Sequence, residues 1–275
     1  MIRHSVAGGV ATITLDSPHN RNALSRALIA ELLDALRTAA AHADTRVIVL
    51  SHTGPAFCAG ADLKETVAAF ESGSVPAGRM GDVLAAIWES PKPVIARVGG
   101  AARAGGLGIV AAADIAVCAD DVTFAFTEVR IGVIPAVISA TVLPRLAPRA
   151  AAELLLTGDQ FDARRAVEVG LVTAAVPAAE LDQKVDGYAR ALLRAAPGAL
   201  AGTKWLLRDP DGPTLRARLA ELTEVSVRYF TSDEGREGIT ALLGKRDPAW
   251  VDPGPSKPRG PRERSERHQA KPPNP

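Results

Sequence analysis

The chain has 275 residues, with 32 Lys and Arg against 31 Asp and Glu, a formal net charge of +1 and an apolar fraction of 47%. That balance argues against nucleic acid or an anionic membrane as the main partner, and the length fits one large domain or two small ones. Two cysteines, Cys58 and Cys118, make no disulfide framework and fit a reducing cytoplasm, while no apolar run is long enough to span a bilayer and the N-terminus turns polar too soon for a signal peptide.

Val10–Leu15 alternates and predicts a strand, followed by a turn over Asp16–Asn20. Ser25 precedes Leu28, Leu32, Leu33 and Leu36, whose spacing predicts a helix. Val47–Leu50 is continuously apolar and predicts a strand buried on both faces. Asp62 with Glu65 reads as a capping pair at a helix start. Residues 71–81 contain Gly, Ser and Pro and predict a flexible loop. Met80–Glu89 predicts a helix ended by Pro91 and Pro93, Val94–Val98 a strand, and the run behind Gly105-Gly106 a helix to Ala113. Short strands are expected over 115–119 and 123–126. Helices follow over 139–146, 150–156, 163–168, 179–195, 198–207, 215–230 and 233–243. Strand–turn–helix repeats thus come first and helices afterwards, with the boundary near 149–158. Residues 252–275 are poor in apolar side chains and predict a disordered, modestly basic tail.

Two glycine-centred segments carry the chemistry. One reads Ala56-Phe57-Cys58-Ala59-Gly60-Ala61-Asp62-Leu63-Lys64; the other runs from Val94 to Gly100 and on through Ala104-Gly105-Gly106-Leu107-Gly108. Each has a strand-like stretch upstream, glycines at a turn and a helix-like run behind. A turn entering a helix leaves backbone N–H groups unpaired. Two such turns brought together can aim two N–H groups at one oxygen, forming an oxyanion hole.

Other chemistries fit less well. Gly106-Leu107-Gly108-Ile109-Val110-Ala111 matches a loose dinucleotide pattern, but the loop before it is too long for a tight turn directly after the strand. His4, His19, His42, His52 and His268 lack metal-ligand spacing, and no Gly-x-Ser-x-Gly elbow is present. Cys58 adjoins the first turn, yet no histidine is placed to activate it.

At five segments the chain resembles the enoyl-CoA hydratase/isomerase, or crotonase, superfamily. They are Arg21-Asn22-Ala23-Leu24, Ala59–Leu63, Gly105-Gly106, Phe126–Gly132, and Leu156-Thr157-Gly158 with 163–171, in order at family spacing. The resemblance runs from about Val10 to about Trp250. It implies an α/β fold, a crotonase-like ββα superhelix over residues 1–150 that holds the acyl-CoA site. A helical C-terminal region over 151–250 would form trimers or dimers of trimers, and 251–275 would be a disordered tail. It also implies a coenzyme A thioester as substrate, no separate cofactor, no metal, and acid–base chemistry at the carbons beside the thioester.

Residue by residue, the resemblance makes Ala59 and Gly105 the oxyanion-hole donors and Glu128 the catalytic carboxylate. An apolar pocket would raise the pKa of Glu128 and suit it to proton exchange with carbon; the plainer reading is a surface glutamate paired with Arg130. Arg21, Ala23, Leu24, Ala61, Asp62 and Leu63 are expected to hold coenzyme A, with Asp62 mainly a helix cap. Lys245 matches a late lysine that reaches the coenzyme's phosphate. Gly106 and Gly108 belong to the acyl site. Ordinary hydratases carry a second glutamate where this chain has Gly108. Three readings follow: a single-glutamate 2-enoyl-CoA hydratase acting on branched or dicarboxylic acyl groups among others, a 3,2-enoyl-CoA isomerase, or an acyl-CoA-binding protein without turnover. Arg103 stands where relatives carry an apolar residue and is a candidate partner for a substrate carboxylate, against an arginine directed to solvent or coenzyme phosphate.

Overall fold

The computed structural model describes residues 1–70, 79–207 and 214–250. Most of the loop expected over 71–81, and the expected tail, lie outside the described residues. The strands in chain order are β1 (Ile2–Ala7), β2 (Val10–Leu15), β3 (Val47–His52), β4 (Ala56–Cys58), β5 (Val94–Val98), β6 (Ala101–Arg103), β7 (Ile115–Ala119), β8 (Thr123–Ala125), β9 (Phe161–Asp162) and β10 (Ala174–Val176). Among the described residues they form a six-stranded sheet, ordered β1-β2-β3-β5-β7-β10, and a four-stranded sheet, ordered β4-β6-β8-β9.

Strands enter the two sheets in pairs. β3 lies in the large sheet and β4, three residues later, in the small one; β5 and β6, then β7 and β8, repeat the step. Pairing between successive repeats is parallel in both sheets, with Leu50 opposite Ala96 and Cys58 opposite Ala102. The turns after β4 and β6 therefore come out side by side. Two helices start from these turns, α2 (Leu63–Phe70) and α4 (Gly105–Ala112).

The sheets are covered by α1 (Arg26–Ala41), whose Leu28, Ile29, Leu32, Leu33, Leu36 and Ala39 are buried, and by α3 (Met80–Trp88). Burying each such large aliphatic side chain contributes on the order of 1.5–3 kcal/mol. Ser25 caps α1, its side chain accepting the Leu28 N–H at 3.1 Å. The expected Asp62–Glu65 capping box is only half formed. Asp62 accepts the Lys64 and Glu65 N–H groups, but the Glu65 carboxylate turns to the Arg26 N–H at 2.9 Å and so supports the start of α1 instead.

The remaining helices are α5 (Ala136–Val142), α6 (Pro148–Thr157), α7 (Ala163–Glu168), α8 (Leu181–Leu193), α9 (Pro197–Leu206), α10 (Leu215–Phe230) and α11 (Asp233–Leu243). β9 and β10 join the two sheets after α6, so the sheet core runs past the boundary expected near 149–158, to Val176. α10 packs on α5 and α3, and α11 packs on α2 and on the short turn that follows β8. Five strands, β1, β4, β6, β9 and β10, were not expected from the sequence. Four are only two or three residues long, and β1 is an almost fully exposed edge strand whose backbone is satisfied by antiparallel pairing with β2. No helix among the described residues is long and apolar enough to cross a membrane.

Candidate active site

Asn22 organises the first wall. It is fully buried with φ 55°, its Nδ2 donates to the Thr53 and Ala56 carbonyls at 3.0 and 2.8 Å, and its Oδ1 accepts the Ser17 N–H at 2.7 Å. This pins Arg21–Leu24 along the turn after β4. There the Ala59 N–H donates to the Arg21 carbonyl at 3.0 Å, and the Leu24 N–H donates to the Gly60 carbonyl at 2.7 Å. Ala23 and Leu24 are buried.

Gly60, at φ +90°, brings the second turn close. A Cβ on it would sit 3.0 Å from Ala104 Cβ and 3.4 Å from the Arg103 carbonyl oxygen. Ala104 precedes α4 at φ 46°, ψ −117°, a conformation sparsely populated by residues other than glycine, and its N–H donates to the Ala125 carbonyl. Gly105 follows at the first position of α4, and Gly106 packs on Cys58. Among the described residues, the Ala61 and Gly105 N–H groups donate to no protein acceptor. Both residues line one cavity of about 300 Å³. This corrects the expectation for Ala59: its N–H is consumed by Arg21, and Ala61 holds the free amide of that turn. The Gly105 amide also lies at the positive end of the α4 dipole.

Glu128 faces the same cavity from a 3-10 turn over Glu128–Ile131 that follows β8. Phe124 and Phe126 before it are fully buried and stack on Phe161, while the Val133 N–H closes the turn on the Glu128 carbonyl at 3.1 Å. The Glu128 side chain is buried and its Oε2 has no hydrogen-bond partner. Burial lifts its carboxyl from an ordinary 4.5 to about 7. Arg130 is not its partner. That guanidinium is exposed and pairs with Asp159, with a further bond from Nε to the Thr157 carbonyl.

The other walls are apolar, built from Leu24, Ile29, Met80, Ile134, Ile138 and Phe230 among others. Ile138 occupies the place that a side chain on Gly108 would take: a Cβ there would meet Ile138 Cγ2 at 2.5 Å. Glu128 is therefore the one carboxylate lining the cavity among the described residues. Asp114 lies elsewhere, accepting the Val94 N–H at 2.7 Å and the buried Lys204 ammonium at 2.6 Å.

Arg103 is turned away from the cavity, which corrects its assignment as a partner for substrate carboxylate or coenzyme phosphate. Its guanidinium donates to the Ala102 and Thr123 carbonyls, to Thr123 Oγ1 at 2.8 Å and to Gln160 Oε1 at 2.9 Å, tying β6 to β8. The burial that makes these bonds possible lowers its pKa. Cys58 is buried with its thiol pushed up to about 12, the opposite of an activated nucleophile. Asp62 acts as the cap of α2, and Leu63 lines the cavity. Lys245 is exposed in the turn after α11, at φ 51°.

Sequence reading did not single out Asn22 itself or Ser226 of α10, which respectively shapes and lines the cavity. Asn22 was signalled by the Arg-Asn-Ala-Leu motif. Ser226 carries no local signal, since it sits in an ordinary amphipathic helix.

The profile of the family described as Enoyl-CoA hydratase/isomerase matches residues 5–253. A crystal structure of an enoyl-CoA hydratase from Mycobacterium avium is 45% identical, with a TM-score of 0.80, covering 91% of this chain and 98% of that one. The human and rat proteins named enoyl-CoA hydratase domain-containing protein 3, mitochondrial, are 34% and 32% identical over 249 and 254 residues; each match covers 88% of this chain and 80% and 81% of theirs. The chain belongs to the enoyl-CoA hydratase/isomerase family and has the crotonase fold.

Proposed function

We propose that this chain is a hydratase of 2-enoyl-CoA thioesters with Glu128 as its single acid–base group. The observation that carries this reading is one cavity holding two unpartnered amides, of Ala61 and Gly105, and one buried carboxyl raised to about 7. The thioester oxygen accepts both N–H groups, which stabilise the negative charge it gains as an enolate. Glu128, as carboxylate, takes a proton from water while the water oxygen bonds to C3. The C2=C3 electron pair moves toward the thioester, and Glu128 then returns the proton to C2. A pKa near neutrality favours both transfers.

The coenzyme would lie along Arg21, Ala23, Leu24, Ala61, Asp62 and Leu63, with Lys245 toward its phosphates. A cytoplasmic location and assembly into trimers or hexamers belong to the same reading. It is supported by two buried free thiols and by exposed Leu143, Leu156, Leu242 and Leu243.

A second reading, isomerisation of 3-enoyl-CoA to 2-enoyl-CoA, is favoured by Ile138 filling the space beside Gly108, which leaves one carboxylate to move one proton between carbons. The test is absorbance of the conjugated 2-enoyl thioester across straight, branched and dicarboxylic esters, for the parent and Glu128→Gln. Glu128-dependent loss of absorbance supports hydration. No loss on any ester, together with Glu128-dependent formation of 2-enoyl-CoA from 3-enoyl-CoA, overturns it in favour of the isomerase.

A further inference from the structure

Hydration needs a water held beside C3, and a buried water needs two or more polar partners. Of the buried polar and charged residues among those described, only Glu128 and Ser226 line the cavity. The remaining polar lining side chains are half-buried Thr127 and exposed Arg130, which is tied to Asp159.

Ser226 is 5% exposed and lies in the stripe of α10 that also presents Leu219, Leu222 and Phe230 to the interior. An apolar residue is the ordinary occupant of such a position. A hydroxyl there must find a partner or lose its hydration without return. The other hydroxyls of this region find theirs in the helix backbone: Thr223 Oγ1 donates to the Leu219 carbonyl at 2.7 Å, and Thr231 Oγ1 to the Val227 carbonyl at 2.9 Å. Ser226 makes no such bond, nor any other to a described side chain. Glu128 Oε2, across the same cavity, is buried and unpartnered. The cavity thus has two buried polar residues whose side chains keep an unpaired oxygen, Glu128 on the turn after β8 and Ser226 on α10, beside half-buried Thr127, whose hydroxyl also makes no cap bond.

We propose that Ser226 positions the oxygen that is added to C3: the attacking water in the forward direction and the 3-hydroxyl of the product in the reverse. In the step itself the water O–H proton passes to Glu128, the new bond joins the water oxygen to C3, and the C2=C3 pair becomes the enolate held by Ala61 and Gly105. Ser226 exchanges no proton; its hydroxyl fixes the water relative to C3 and does the orienting that a second carboxylate would otherwise do. The inference rests on the hydratase reading above.

The test compares the parent, Ser226→Ala, Ser226→Thr and Glu128→Gln in two assays. One is hydration of the best 2-enoyl-CoA ester. The other is exchange of the C2 protons of the saturated acyl-CoA of the same length in D2O, which needs base and oxyanion hole but no added water. Ser226→Ala is expected to lower kcat for hydration about tenfold or more, from loss of one hydrogen bond to the reacting oxygen, with KM nearly unchanged. It should leave C2 exchange within about threefold, and Ser226→Thr should restore much of the hydration. Glu128→Gln should abolish both reactions. Equal loss of both reactions in Ser226→Ala, or loss of neither, overturns the proposal for Ser226 while leaving the hydratase reading intact. If the parent exchanges C2 protons but hydrates no ester, the hydratase reading itself fails, and the role of Ser226 with it.

Discussion

Ile138 fills the space that a side chain on Gly108 would enter. A Cβ at Gly108 would stand 2.5 Å from Ile138 Cγ2, 2.9 Å from Ile138 Cβ and 3.4 Å from Leu84 Cδ2. The missing second carboxylate is thus part of how α4 and α5 pack, and no single replacement at 108 can supply one without moving α5. Gly108→Ala is expected to destabilise the fold by about 1–3 kcal/mol through overpacking. The same change in an Ile138→Ala background should cost less, and a double-mutant cycle by urea denaturation measures the difference. Strictly additive effects would sink this account.

Glu128 sets a pH dependence of stability. Its carboxyl rises from 4.5 to about 7 on folding. Between those values the folded chain keeps a proton that the unfolded chain has released. Stability is therefore greatest below about pH 4.5, as far as this group is concerned, and falls as pH rises through 7, by on the order of 3 kcal/mol. Glu128→Gln removes that fall. The variant should match the parent in urea near pH 4 and exceed it near pH 8. A parent no less stable than the variant at pH 8 would contradict the burial argument.

The activity should show the same group from the other side. Proton abstraction needs the carboxylate, so kcat/KM is expected to drop as pH falls below about 7. Glu128→Gln should lose at least about a hundredfold at every pH. The check is a pH–rate profile of both proteins on one ester. A profile flat from pH 5 to 8 would remove Glu128 from the reaction.

Asn22→Ala deletes three hydrogen bonds, two of them fully buried, and strands two carbonyls and one N–H. A cost of about 3–5 kcal/mol is expected, beyond the usual range for a single substitution. The Arg21–Leu24 strip should also loosen from the turn after β4. Hydrogen exchange of the Leu24 and Ala59 amides, bonded to Gly60 and Arg21, reports that loosening directly. Unchanged protection of both would show that the strip is held by something else.

Arg103→Ala should leave the preference among neutral and acidic acyl groups where it was, because the guanidinium points to Thr123 and Gln160. Its effect should instead be a loss of stability of roughly 1–3 kcal/mol from the orphaned acceptors. Relative kcat/KM on dicarboxylic and straight-chain esters decides this; a selective loss on the acidic ester would restore Arg103 to the site.

Local pattern sufficed for the long elements. The 3.6-residue stripe of Leu28, Leu32, Leu33 and Leu36 and the unbroken Val47–Leu50 run carry their own burial, because one face or both must leave water wherever they go. The glycine-centred turns stand out in the sequence, but Glu128 is singled out there only by the family resemblance, because a carboxylate beside Arg130 reads equally well as a surface ion pair until the fold buries it. What the sequence could not decide was every question of non-local partnership. Ala59 and Ala61 flank the same glycine, and only the approach of the Arg21 carbonyl decides that Ala61 keeps the free N–H. Arg103 faces either way in the sequence until Thr123 and Gln160 accept its hydrogens. The unbonded hydroxyl of Ser226 becomes visible only when α10 is laid over the cavity. Hydrophobic periodicity is a property of one segment, whereas the satisfaction of a donor or acceptor depends on whichever distant segment the fold brings against it.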